Sequence, residues 1–143
     1  MGAKARILVV DDDRPTVLII SSVLKKQGYE IHTAFNGVSG LKKAQEVKPD
    51  LIVLDIMMPG MDDYQVCRRL QRDADTAGIA VLMLTAKGGI DEDVKQAYQF
   101  ATRVKDRLTG FDAGAMDFLT KPVKAKEVAR RVKALLWASG FPI

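Results

Sequence analysis

Three kinds of side chain suited to phosphate chemistry stand at the ends of four short apolar runs. Val9-Val10 leads into Asp11-Asp12-Asp13, and Val53-Leu54 leads into Asp55. Leu84-Thr85-Ala86 brings a hydroxyl, and Thr120-Lys121-Pro122 an ammonium. Aspartates after strands often serve as turn or cap residues, and Asp13, just before Arg14-Pro15, is read as a helix cap. Capping does not account for Asp11, Asp12 and Asp55 together. If the strands bearing them are neighbours, the three carboxylates converge, and they repel one another unless a cation sits among them. Magnesium suits such a site, being held by one or two carboxylates with positions left for water and phosphate oxygens. Taken singly, Thr85 is a strand-end turn residue and Lys121 a surface charge. Taken together with the carboxylates they make a phosphoryl-transfer set. A carboxylate attacks, the cation and lysine offset charge on the equatorial oxygens, and the hydroxyl donates a hydrogen bond to one of them.

The positioning elements are legible in the apolar pattern. Ile7–Val10, Tyr29–Ala34, Leu51–Leu54, Ile79–Leu84 and Met116–Thr120 read as strands. Most are Val/Ile/Leu-rich without polar alternation, as in a parallel sheet buried on both faces. Tyr29–Ala34, with Glu30, His32 and Thr33, reads as a strand nearer an edge. Helical patterns lie between them: Pro15 to about Gln27 with Gly28 as the stop, Gly37 to Val47 ending before Pro49, and a third from about Asp62 with Val66 and Leu70 inward. A last helix runs from about Lys124 to Ala138, with Val128, Val132, Leu135 and Leu136 on one side. Alternating strands and helices predict a doubly wound α/β sheet, whose ligands bind beyond the carboxyl ends of the strands.

The 143 residues suit one domain, with 48% hydrophobic and 28% charged residues. No apolar run approaches the roughly 20 residues of a membrane helix, and Ile7–Val10 is too short for a secretory signal. Cys67 is the single cysteine, which fits a reducing, cytoplasmic setting. The net charge of +4 bears on partners, and the last helix is strongly basic, with Lys124, Lys126, Arg130, Arg131 and Lys133 against Glu127. That run reads either as a solvated face or as a surface for an acidic partner. No reading helix, zinc spacing or RNA-binding aromatic motif appears, so nucleic acid is not expected as a partner of this domain alone. His32 reads as a surface residue of its strand, and Cys67 as half-buried.

Leu8-Val9-Val10-Asp11-Asp12, Leu54-Asp55-Ile56-Met57-Met58-Pro59-Gly60-Met61-Asp62, Leu84-Thr85-Ala86, and Asp112-Ala113-Gly114-Ala115 leading to Phe118-Leu119-Thr120-Lys121-Pro122 closely resemble the receiver domain of two-component response regulators. The match runs in order over nearly the whole chain. The resemblance implies a flavodoxin-like, five-stranded parallel sheet of order 2-1-3-4-5 with helices on both faces. It implies a single receiver domain over residues 1–143, with its core at about 5–138. It further implies that Asp55 accepts a phosphoryl group from a histidine kinase's phosphohistidine. Asp12, Asp55 and the main-chain carbonyl of Met57 would ligate Mg2+, with Asp11 acting mainly through water. Thr85 and Lys121 would contact the phosphoryl group, and Phe118 would be the aromatic switch that turns inward as Thr85 moves. The Lys121–Pro122 bond is expected to be cis. Phosphorylation would then bias the face formed by the fourth helix, the fifth strand and the last helix. The domain would catalyse its own phosphotransfer and dephosphorylation without being a conventional enzyme. Met57 and Lys87 lie where the family tunes the lifetime of the phosphoryl group. Expected partners are a sensor histidine kinase and a downstream protein target or fused output domain.

The sequence departs from that pattern in one large respect. Thr85 and Lys121 are 36 positions apart, where about 22 are usual, and the roughly 14 extra residues amount to nearly four helical turns. The excess lies within about 88–110, where Val94, Ala97, Tyr98, Ala101, Val104, Leu108 and Phe111 form an apolar stripe at helical spacing. An elongated fourth helix is expected, folded on the domain's own flank or buried in a homodimer or partner interface. Asp63 replaces a common glycine, and Met116 a common polar residue. Two rival readings differ in kind. A haloacid-dehalogenase-like phosphohydrolase would need a second acid two residues after Asp55, where Met57 stands. A non-phosphorylated pseudo-receiver scaffold would be expected to lose an acidic or lysine position, and none is lost.

Overall fold

The computed structural model describes residues 4–55, 69, 76, 78–85 and 116–141. Five strands, β1 (Arg6–Val10), β2 (Glu30–Ala34), β3 (Leu51–Asp55), β4 (Ala80–Thr85) and β5 (Met116–Thr120), form one parallel sheet of order β2-β1-β3-β4-β5. The described helices are α1 (Arg14–Lys26), α2 (Gly37–Val47) and the C-terminal α3 (Ala125–Ala138). The third helix expected from Asp62 and the long fourth helix expected within 88–110 lie outside the described residues, as do Met57, Asp63, Cys67 and Lys87.

Successive side chains of a strand point to opposite faces, and the core divides accordingly. Ile7, Val9, Leu51, Val53, Leu82 and Leu84 pack with Val17, Ile20 and Leu24 of α1 and Val128, Val132 and Leu136 of α3. The alternate residues Leu8, Val10, Ile52, Leu54, Val81 and Met83 pack with Leu41 and Ala44 of α2. The near-absence of polar residues from β1, β3 and β4 thus has a plain cause, since both faces are covered. β2, with its polar residues, is an edge strand.

The local signals act where expected. Asp13 caps α1, its Oδ2 accepting from the backbone N–H of Thr16 at 3.3 Å and from the Thr16 hydroxyl. Gly28, at φ +93°, follows the end of α1 in the left-handed conformation that ends many helices. Asn36 caps α2 through Oδ1, which accepts from Ser39 N–H at 2.8 Å. At the close approach of α2 to β1, a Cβ on Gly40 would lie 2.9 and 3.0 Å from the Val10 methyls. Strand ends shift slightly from expectation. β2 and β4 begin one residue later, at Glu30 and Ala80, whereas β3 and β4 run on through Asp55 and Thr85. Asp55 is still in register with Leu84, and Thr85 with Thr120, so ladder pairing carries both candidate positions inside their strands. Among the described residues no helix is long and apolar enough to cross a membrane.

Candidate functional site

Register brings the site together. Val10 pairs with Leu54, Asp55 with Leu84, and Leu84 with Leu119. Asp11, one residue past Val10, is therefore level with Asp55 on the neighbouring strand, while Lys121 leaves the end of β5 beyond them. Ligand oxygens of Asp11, Asp12 and Asp55 lie within 4.8 Å of one another. Asp11 and Asp55 are buried, at 0% and 2% exposure, and Asp12 is exposed. β5 stands two strands from β3, roughly 9–10 Å at ordinary strand spacing. Lys121 reaches back across β4, placing Nζ 3.2 Å from Asp55 Oδ2 and 2.9 Å from Asp11 Oδ2.

Asp11 is held from both sides. Its Oδ1 accepts from the backbone N–H of Asp13 at 2.9 Å. Its Oδ2 is buried and accepts no hydrogen bond; Lys121 stands within ion-pairing distance of it but off the direction a hydrogen bond requires. Burial pushes the Asp11 carboxyl above the usual carboxylate range; the Asp13 N–H and Lys121 oppose that rise, and Asp55 adds to it. For Lys121, burial acts to lower the ammonium's pKa, but the carboxylates of Asp11 and Asp55 outweigh it and hold it above the usual lysine range. The ammonium is therefore charged throughout the neutral range. A cluster of hard oxygen donors with one buried oxygen still lacking a hydrogen bond fits a small divalent cation such as Mg2+. A carboxylate of that cluster standing beside a fixed lysine, as Asp55 does, can accept a phosphoryl group.

The other expected residues occupy defined places. Thr85 is the last residue of β4, level with Thr120. Phe118 is half-buried against the α2-side core. The Lys121–Pro122 peptide is cis. His32 is half-buried on β2 and pairs with Glu30 at 3.0 Å rather than joining the carboxylates. Asp13 acts as the cap of α1. One pair beside the site is not legible in the sequence: Asp117 Oδ2 accepts from Arg131 Nη1 at 2.6 Å, tying β5 to α3 next to Phe118. Arg131 also binds Glu127. The 14-residue separation of Asp117 from Arg131 carries no local signature, although Glu127 and Arg131 stand at an ordinary i,i+4 spacing.

Comparison with known proteins follows the same lines. Residues 7–103 match the family model described as "Response regulator receiver domain". The chain is 43% identical over 131 residues to the DNA-binding dual master transcriptional regulator RpaA of Synechocystis, covering 92% of this chain and 48% of that protein. It thus spans about half the length of that regulator. It is 35% identical over 132 residues to Protein PilH of Pseudomonas aeruginosa, covering 92% of this chain and 98% of PilH. Among solved structures, the chemotaxis protein CheY4 of Vibrio cholerae superposes with a TM-score of 0.76 at 26% identity, covering 93% of this chain and 99% of that one.

Proposed function

Because the chain belongs to the response regulator receiver domain family of two-component systems, we propose that it is a phosphorylation-activated switch with Asp55 as phosphoacceptor. The observation that carries this reading is the convergence of Asp11, Asp12, Asp55 and Lys121 at the carboxyl ends of the strands. An Asp55 carboxylate oxygen attacks the phosphorus of a kinase phosphohistidine. The phosphorus–oxygen bond forms as the phosphorus–nitrogen bond breaks, and the imidazole leaves. Asp12, Asp55 and the main-chain carbonyl of Met57 would hold Mg2+, with Asp11 acting through water, and the cation would offset negative charge on the phosphoryl oxygens.

Lys121 already faces Asp55. On phosphorylation its ammonium exchanges a carboxylate oxygen for a phosphoryl oxygen, and the Thr85 hydroxyl donates to another. Phosphorylation replaces the single negative charge of the Asp55 carboxylate with nearly two, carried on three phosphoryl acceptor oxygens. Contacts that exist only in that state bias the β4 end and Phe118, and with them the face of the fourth helix, β5 and α3. The chain functions as a single receiver domain with its core at about 5–138 and an insertion within about 88–110 that lengthens the fourth helix. The same site hydrolyses its own acyl phosphate, and the cytoplasm is its working compartment. A histidine kinase lies upstream, and a protein target or an attached output domain downstream.

The reading is tested by treating the protein with acetyl phosphate and Mg2+ and recording intact mass, with Asp55→Asn alongside. A single phosphoryl adduct that needs both Mg2+ and Asp55 is expected. No adduct, together with no beryllofluoride binding, refutes the phosphoacceptor and leaves a scaffold of receiver shape.

A further inference from the structure

The chain's charge imbalance resides in its last helix. Lys124 and α3 carry five basic residues, Lys124, Lys126, Arg130, Arg131 and Lys133, against Glu127 alone, a net charge equal to the +4 of the whole chain. The rest is neutral on balance, so the positive field issues from one element. Arg131 is spent internally, bound to Asp117 at 2.6 Å and to Glu127 at 3.2 Å, whereas Arg130 pairs with Glu127 at 2.7 Å on the surface, its side chain 75% exposed. Lys126 and Lys133 are thus the cations of the helix with no ion pair among the described residues, and Arg130 must share its guanidinium. Lys126, Arg130, Lys133 and Trp137 succeed one another at the spacing of a single helix face, and all four are exposed. Trp137 is 72% exposed, although a tryptophan ring gains more than most side chains by leaving water. Arg130, Lys133, Ala134 and Trp137 line a shallow, open depression of about 470 Å3.

We propose that this face of α3 binds an acidic protein segment, with Asp or Glu side chains on Lys126, Arg130 and Lys133 and one aliphatic or aromatic side chain seated in the depression on Trp137. Three features of the helix favour that occupant. A flat anionic membrane takes up a helix by its apolar face, but Val128, Val132, Leu135 and Leu136 are buried in the core. Single-stranded nucleic acid is held by a succession of aromatic platforms, and Trp137 is the one aromatic residue of α3. An open depression flanked by Arg130 and Lys133 and floored by Ala134 and Trp137 suits a side chain flanked by carboxylates, and aromatic and arginine residues together are the usual anchors of protein interfaces. The regulatory meaning of this contact rests on the switch reading above, because α3 belongs to the face that phosphorylation would bias. The binding itself is measured on the unphosphorylated chain and on Asp55→Asn, so failure of one reading is distinguishable from failure of the other.

Trp137 is the chain's single tryptophan, so its emission reports on this surface directly. The probe is a short synthetic peptide of glutamates around a central leucine. A saturable blue shift is expected, weakened by added salt. Lys126→Glu/Lys133→Glu should bind about tenfold more weakly, a modest sum of exposed charge terms. Trp137→Ala, followed by anisotropy of labelled peptide, should also lose affinity, and far-UV circular dichroism checks that these surface variants fold. Phosphatidylserine-containing vesicles and oligothymidylate are the comparison ligands. A shift with either of them and none with the peptide overturns the proposal in favour of lipid or nucleic acid. A shift with protein concentration alone assigns the face to a second copy. No shift with peptide at millimolar concentration, or equal affinity in the charge-reversed variant, also overturns it.

Discussion

Replacing Lys121 by methionine keeps much of the side-chain length and removes the charge, leaving Asp11 and Asp55 to face each other. These carboxylates are 0% and 2% exposed, and the ammonium stands 2.9 and 3.2 Å from them. Removing one partner of a buried ion pair costs about 3–5 kcal/mol. Here the lysine side chain is 24% exposed, and Asp12 opens the cluster to water, so screening brings the expected loss to about 2–3 kcal/mol. With a urea m-value of about 2 kcal/mol/M, that lowers the unfolding midpoint by roughly 1–1.5 M in Mg2+-free buffer. The sign with pH follows from the groups involved. Asp11's folded pKa is raised, so its contribution to stability declines as pH rises from the unfolded value through the folded one. Without Lys121 that rise is steeper, and the gap between variant and wild type widens from acid to neutral pH. Mg2+ should narrow it again, because the cation supplies the positive charge the variant lacks and so binds it more tightly than wild type; a tenfold difference in affinity at saturating Mg2+ is worth about 1.4 kcal/mol. Urea titrations at acid and neutral pH, with and without Mg2+, measure all of this. Equal midpoints at neutral pH without Mg2+, or a gap that does not change with pH, would refute the claim that Lys121 offsets the repulsion of two buried carboxylates.

Other outcomes test the surroundings. Gly40→Ala should gain up to about 1 kcal/mol in helix propensity, yet lower Tm, because the new Cβ meets both methyls of Val10 at 2.9 and 3.0 Å and overpacking there costs about 1–3 kcal/mol. A higher Tm would mean that α2 can move off β1. Asp13→Ala should cost about 1 kcal/mol in thermal or urea unfolding through loss of the α1 cap, whereas no change would discount the cap. Arg131 and Arg130 hold the Glu127 carboxyl below the usual range, so its pairing supports the fold above the unfolded pKa and is lost as pH falls through the folded one. Carboxyl-resolved NMR titration should show the Glu127 pKa rising in Arg131→Ala, and an unmoved value would discount the pair.

Much of the site was legible because its information is local. Apolar runs located all five strands, as expected of strands buried on both faces. Asp13 and Gly28 marked the ends of α1 through the chemistry of caps and left-handed backbone. The aspartates, Thr85 and Lys121 were visible because each ends a run. Strand order was another matter. Periodicity says that a strand is buried, not which strand lies beside it; that β1 neighbours β3 follows from the family motifs and not from the apolar runs.

Tertiary structure decided what depends on pairing across the chain. Only the register of β1 on β3 makes Asp11 level with Asp55, and only the place of β5 two strands away requires Lys121 to reach back over β4. The raised pKa of Asp11 is likewise a tertiary property, since burial and its neighbours create it. Asp117 and Arg131 meet because β5 and α3 pack together, and neither residue's own sequence neighbours announce the contact. The basic run of the last helix could be counted in the sequence. Which of its cations are spent internally was settled by packing: Arg131 turns inward to Asp117, while Lys133 and Trp137 face water because Val128, Val132 and Leu136 claim the other side for the core.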